Sequence, residues 1–578
     1  MACNFISVLS KLRKLSMESV ENTASFDTFK KYLHVLRPVE SDLRNLLSRV
    51  NAVNKRTLVL LCGSAGDGKS HLISYLRNAD DAHLLDSFEL YNDATESSAP
   101  LLTSIDTLAE KLAPFNDENC SIDDGFKMIL AINLGTLNNF IESEKGKDFS
   151  TLKKYVEAYD IFSTDIRPNS YHENSVFQHV SFSDYQIFTL NSNGVGTAYL
   201  ENLFEKVFRQ TDENPFYKAF CANDSCTLCQ KCPVRHNFEF MLDPVHQKAV
   251  ISKIVEVVIK DKAIVSTREI LNLIYDLLVH PDFDYTAMCN AAASEVKYLT
   301  KYIQCTTPML MYEFDDISPL INTIRKHDRL KHRQAEMDAD MTRFHSLENI
   351  YESFTEATQV TPFAKLNDTT QIAILGGIKS ELKKLVYRFI VRIRDLKGDF
   401  PVTAQQRLFD EYVQYLYWQQ SGNERKLLKL YEATQRAVLN WDGKFESDTI
   451  CIDDSNDKFW VLEQLNIIPC PYGRTPEAGE VLRFSTILKL RFKKDGSDTQ
   501  TAEISMDYAL FEMISAMREG YRPTVQDKNQ HTDFVSFVQR LIEFGNKASR
   551  ISLIPKDGEH AYKIVFEKNA FGYSFKVV

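Results

Sequence analysis

The run Gly63-Ser-Ala-Gly66-Asp-Gly68-Lys69-Ser70 constrains this chain more than any other feature. It meets the pattern G-x-x-x-x-G-K-[ST] at every fixed position. Its surroundings agree. Residues 57–62 are a short unbroken apolar run, which suits a strand buried on both faces, and a helical stretch follows over 69–77. Glycines let backbone N–H groups wrap a phosphate chain without Cβ clashes, and the helix behind them directs its positive end at the anion. Ser64, Ala65, Asp67 and His71 complete the binding segment. Lys69 brings a point charge to the β- and γ-phosphates, and Ser70 a hydroxyl to Mg²⁺. The pattern therefore predicts ATP and Mg²⁺ as ligands.

Strand-like runs recur at 88–93, 127–133 and 176–182, with helical patterns at 101–113 and 199–209 between them. That alternation predicts a parallel sheet covered by helices. A hydrolase of this kind also needs a carboxylate near the magnesium and a group that orients water. Asp93 ends one strand-like run and is the first candidate for the metal-side acid; Glu96 could polarise water. The same stretch, Asn92 to Ser97, equally suits a helix cap. The run 128–132 ends in Asn133 rather than an acid. An amide there could hydrogen-bond the γ-phosphate or the attacking water, as the sensor-1 residue of AAA+ ATPases does. Arg268 stands in the first turn of an amphipathic helix, where a cation is disfavoured unless an anion faces it. The position resembles the sensor-2 site in the AAA+ lid; an arginine on a solvated face is the alternative.

The expected fold class is an α/β P-loop NTPase core, AAA+-like, with a helix-rich middle and a small C-terminal α+β module. The boundaries read as an N-terminal helical segment at 1–50, a P-loop domain at 51–280, a helical region at 281–445 and the module at 446–578. Pro38 divides the helical positions of 26–50 into two helices. In the module, 482–492 alternates as a strand does, 504–517 and 534–544 look helical, and 551–578 contains short strands. At 578 residues the length predicts several domains. No apolar run of membrane-spanning length occurs, and the apolar stretch at 5–9 precedes its positive charge, the reverse of a secretory signal. A cytoplasmic protein with no membrane partner is expected.

Four of the eleven cysteines, Cys221, Cys226, Cys229 and Cys232, fall within twelve residues. In a reducing compartment that density predicts metal rather than disulfides. Four thiolates suit tetrahedral Zn²⁺, while the spacing and Pro233 also suit an iron–sulfur cluster; a metal-free loop is the third reading. His236 is a substitute ligand or a neighbour. The net charge of −11 excludes generic coating of DNA. Two local basic runs, 325–333 and 383–394, could track a phosphate backbone or form solvated and partner faces. Arg329 or Arg333 could act as an arginine finger in trans.

The segments Leu61 to Leu76, Asn92 to Ser97 and Leu130 to Phe140, with the cysteine loop running into Cys232-Pro-Val-Arg-His-Asn237, resemble the DptF family. These are ATPase-like components of bacterial DNA phosphorothioation-dependent restriction. The similarity is clearest over 55–280. It implies a role in anti-phage defence against DNA lacking the sulfur mark, with DptG-like and DptH-like partners, and DNA engaged directly or through them; it leaves room for a homo-oligomer. It assigns Lys69 and Ser70 to nucleotide and magnesium, with Asp93, Glu96 and Asn133 in the same site. An apolar run ending in an Asp-Glu pair is missing, so nucleotide binding is better supported than hydrolysis. The residues alone leave two rivals: a non-hydrolysing nucleotide-sensing scaffold, and a nucleoside or small-molecule kinase.

Overall fold

In the computed structural model the apolar run before the glycine loop is strand β1 (Thr57–Cys62), buried along its whole length. The residues described are 3–13, 28–64, 67–78, 83–91, 103–162, 171–226, 231–281, 296–313, 318–331, 335–347, 350–366, 380–443, 448–453, 455, 457–545, 550–556, 564–569 and 572–577. They form two units, Met1–Thr189 with Thr197–Pro401, and Leu190–Gly196 with Val402–Val578.

The first unit is mixed α/β. Its sheet contains β1, β2 (Glu89–Tyr91), β3 (Lys127–Ile132) and β4 (Phe177–Ser181) in the order β2-β3-β1-β4, all parallel. Both faces are covered, which explains why β1 is apolar throughout rather than alternating. Leu58, Leu60 and Cys62 pack with Met128 and Leu130 against Leu108, Leu112, Phe140 and Leu152. Val59 and Leu61 pack on the other face with Ile129 and Ala131 against Leu43, Leu47, Leu72 and Leu76. The helices Ser104–Leu112, Leu134–Ile141 and Ser150–Ala158 thus cover one face, and Pro38–Asn51 with Lys69–Asn78 the other. Pro38 opens its helix at the first position, where a missing N–H costs nothing.

Below the sheet's other end, Arg56 is buried and ties β1 down. It reaches Asp124 through Nε at 3.0 Å and the carbonyls of Pro114 and Asn119 at 2.5 and 2.9 Å. Among the described residues the remainder of this unit is mainly helical, including Ala198–Phe208, Pro244–Lys260, Thr267–Leu278 and Ser380–Lys397.

The second unit is also mixed. Five antiparallel strands (Thr449–Asp453, Phe459–Gln464, Arg550–Pro555, Ile564–Asn569, Gly572–Val577) make one sheet. A second sheet joins Ile467–Pro469, Leu488–Lys494 and Thr501–Met506. Where a helix is expected over 504–517, the chain instead forms the end of a strand and then a separate helix. Ala502, Ile504 and Met506 are buried on alternate positions of a strand. Asp507 then caps a separate helix, Tyr508–Arg518, accepting from Leu510 N at 2.9 Å. The strand expected over 482–492 begins only at Leu488. Among the described residues no helix is long and apolar enough to cross a membrane.

Candidate functional site

The register of the parallel sheet decides what stands beside the glycine loop. Cys62 pairs with Ile132 of β3 and with Ser181 of β4. The chain therefore leaves three neighbouring strands at Gly63, Asn133 and Phe182, all on the carboxyl edge. Parallel sheets bind ligands outside that edge, where connections diverge to either side.

Gly63 is needed for space. A Cβ there would lie 2.8 Å from the Phe182 Cβ and 2.8 Å from an Asp67 carboxylate oxygen. Gly68 is needed for conformation, at φ +92°. Between them the loop closes on itself. Lys69 Nζ donates to the Ser64 carbonyl at 2.6 Å, and the Ser64 N–H donates to the Asp67 carboxylate. Burial pushes the Asp67 carboxyl above its ordinary range, against the pull of Lys69, the Ser64 N–H and Arg37. Ser70 is half-buried in the first turn of the following helix. Ala65 and Gly66 lie outside the described residues.

His71 has its imidazole turned to His34, Nε2 to Nδ1 at 3.2 Å. Burial holds its pKa down at about 4, so the ring is neutral at pH 7. Asn133 caps the helix Leu134–Ile141, its Oδ1 accepting from Thr136 N at 2.7 Å. One oxygen is thus committed to the helix. Its amide Nδ2, a donor, has no protein partner among the described residues. Asp93 and Glu96 lie outside the described residues; the strand leading to them is described as far as Tyr91.

Two further segments reach the loop. Arg37 donates to the Asp67 carbonyl at 2.7 Å, and its guanidinium lies over Tyr199 and Phe182, 5.3 and 5.9 Å from the ring centroids. Tyr199 Oη is 2.8 Å from Thr267 Oγ1, at the start of the helix that carries Arg268. Ser266 and Glu269 form a reciprocal capping box there. The charge of Glu269 is felt at Asp67. The helix start carrying Arg268 is thus linked to the loop through Tyr199 and Arg37, and Arg268 is itself engaged.

Sequence reasoning missed Arg37, Tyr199 and Asp184. Asp184 closes the short turn Phe182–Asp184 after β4, and its charge acts on Cys62. An acid just past the end of a parallel strand was the available signal. Cys62 itself is inert, since burial pushes its thiol up to about 12.

The cysteine loop is closed at its base by Arg235, which pairs with Asp224 at 2.5 Å and donates to the Phe220 carbonyl at 3.0 Å. Cys221 is exposed, Cys226 half-buried and Cys232 buried, while Cys229 lies outside the described residues. Burial pushes the Cys232 thiol up to about 11, with Cys3 and Cys226 adding to the effect. Among the described residues no three His, Cys, Asp or Glu side chains stand together as a metal cage. The thiol donors themselves suit zinc or an iron–sulfur cluster. His236 is committed elsewhere: its Nδ1 meets Tyr302 Oη, and burial holds its pKa down at about 3.

The arginines of the basic run on Ser380–Lys397 are paired internally. Arg392 is buried and binds Glu313 at 2.5 Å and Asp328 at 2.6 Å. Arg388 meets Glu313 at 3.2 Å, and Asp395 meets Arg329 at 3.0 Å. Arg329 is therefore held within its own unit, and Arg333 lies outside the described residues.

No protein family and no curated protein matches the chain. The arrangement offers a glycine loop with a lysine across its mouth, a helix N-terminus behind it and an amide donor on the neighbouring strand end.

Proposed function

We propose that this chain is a P-loop ATPase of AAA+-like build, coupling ATP binding or hydrolysis to restriction of unmodified DNA in a bacterial phosphorothioation-dependent defence complex. The observation that carries the ATP reading is the glycine loop at the carboxyl edge of a parallel sheet, with Lys69 at its mouth and Asn133 one strand away. Ser70, with Asp93, would hold Mg²⁺, which neutralises phosphate charge when bound. The restriction role, and the DptG-like and DptH-like partners, are supported by the sequence resemblance over 55–280. The cysteine loop is proposed to hold zinc, or an iron–sulfur cluster, that pins its fold.

One observation favours a second reading, a non-hydrolysing nucleotide-sensing scaffold: the strand next to β1 ends in an amide, Asn133, and not in a carboxylate. Phosphate release from the full-length protein separates the two, measured with and without unmodified DNA and the partners. ATP binding is tested by calorimetry with Lys69→Ala, which is expected to abolish it and to abolish restriction in cells. Restriction that survives Lys69→Ala would refute the proposal.

A further inference from the structure

An open cavity of about 420 Å³ lies between the segment preceding Pro38 and the helix Ala198–Phe208 with its following turn. Tyr32 and His34 line one wall; Asn202, Lys206, Arg209 and Glu213 line the other. Its size is that of a small-molecule site.

Both walls run to the phosphate loop. Three residues beyond His34, Arg37 donates to the Asp67 carbonyl. Three residues before Asn202, Tyr199 lies beneath the same guanidinium. The cavity therefore flanks the loop, and His34 touches His71, the residue after Ser70.

The aromatic wall is set in place by its partners. One face of the His34 ring stacks on Tyr75, with centroids 3.6 Å apart and planes 10° from parallel. Both His34 nitrogens are used, Nδ1 by His71 at 3.2 Å and Nε2 by the buried Glu40 at 3.0 Å. Tyr32 donates its hydroxyl to the Lys206 carbonyl at 2.8 Å, and the Lys206 ammonium lies 5.2 Å over the Tyr32 ring. Opposed charges also line the wall, Lys206 and Arg209 against Glu205 and Glu213. Two cations balanced by two carboxylates select no net charge, so the cavity does not suit a second phosphate group. It suits a flat, neutral, polar ring. Asn202 is exposed at the rim and carries a donor and an acceptor side by side, the pair that reads the amino and ring-nitrogen edge of adenine.

We infer that this cavity takes the adenine and ribose of the nucleotide whose phosphates occupy the loop 63–70. His34 and Tyr32 supply the stacking surface, and Asn202 reads the base edge. The inference rests on the ATP reading above, and the test separates the two.

Full-length protein is titrated calorimetrically with ATP, GTP and inorganic tripolyphosphate, as the unaltered chain and as Asn202→Ala, Asn202→Asp and Tyr32→Ala. Asn202→Ala is expected to weaken ATP about tenfold and to erase the preference for ATP over GTP. Tripolyphosphate, which has no base, is expected to bind equally to the unaltered chain and to all three variants. Asn202 is exposed, so its variants should melt with the unaltered protein; Tyr32→Ala is judged on the ratio of ATP to tripolyphosphate affinity, which loss of folded protein does not change. ATP binding that is undiminished in all three variants overturns this inference and leaves the ATP reading standing. An unaltered protein that binds neither ATP nor tripolyphosphate overturns both.

Discussion

Arg392→Met tests whether the basic helix Ser380–Lys397 is a structural element or a nucleic-acid surface. Arg392 is 4% exposed, and its guanidinium bridges Asp328, itself 2% exposed, and Glu313. Methionine keeps much of the side-chain volume and removes the charge. Glu313 retains Arg388 at 3.2 Å, but Asp328 is left as a buried carboxylate whose other contact is the Leu330 N–H at 3.1 Å. Removing one member of a buried pair costs about 3–5 kcal/mol, because the stranded charge keeps its desolvation penalty. With an unfolding entropy of roughly 2 cal/mol/K per residue, a unit of roughly 400 residues would melt about 4–6 °C lower. Differential scanning calorimetry of the full chain reads this directly. The double variant Arg392→Met, Asp328→Asn is expected to recover most of the loss, since it removes the stranded charge as well. If Arg392→Met melts with the unaltered protein and instead lowers the salt dependence of DNA binding, the internal pairing is energetically idle and the helix is a phosphate track.

Two carboxylates, the half-buried Glu256 and the buried Asp276, give opposite pH signatures. Burial opposes ionisation of Glu256, but Lys253, Lys260 and His327 outweigh it and hold the carboxyl at about 2. Its stabilising contribution is present above the ordinary value of 4.5 and lost as pH falls toward 2, so Glu256→Gln should flatten the acid limb of a melting profile there. Burial raises Asp276 to about 6 despite Arg13, so its contribution is greatest below 3.8 and declines as pH rises through 6; Asp276→Asn should remove that decline. Protein purified without oxygen should carry bound zinc, or iron with visible absorption, and a colourless, metal-free sample refutes the thiolate site.

What could be read from the sequence was whatever the chain decides locally. The apolar run 57–62 reads as a doubly buried strand because each residue from Leu58 to Cys62 meets a core, on one face or the other. The glycine loop reads clearly because its spacing is a fixed pattern, and both outer glycines are required, Gly63 for space against Asp67 and Phe182 and Gly68 for a positive φ. Arg37 was not legible: its partner Asp67 is thirty residues away, and nothing near it in sequence marks it. The arginines of Ser380–Lys397 read as a basic face because their carboxylates, Glu313, Asp328 and Asp340, lie more than fifty residues upstream. The 504–517 error has a different cause. Ile504 and Met506 continue at three- and four-residue spacing into Leu510, Phe511 and Ile514, so one apolar series satisfies both periods until the cap at Asp507 divides it.

Asn133 shows how one side chain can satisfy a local rule and still report on the ligand. As a helix cap, Asn and Asp are nearly equivalent, since either offers an oxygen to the third N–H. Toward a phosphate they are opposites. With Oδ1 held by Thr136 N, asparagine has an NH₂ left over, whereas aspartate has a second anionic oxygen. Asn133→Asp therefore keeps the cap and puts a negative charge beside Gly63 in place of a neutral amide donor. Its melting temperature is expected to match the unaltered protein, while ATP affinity falls by at least about tenfold, the scale of one lost charge-assisted hydrogen bond. Asn133→Ala gives the converse: the cap is lost at about 1 kcal/mol, and the loss of ATP affinity is smaller because no repulsion is added. If Asn133→Asp binds ATP as tightly as the unaltered protein, the amide is a helix cap alone, and the nucleotide does not approach the end of β3.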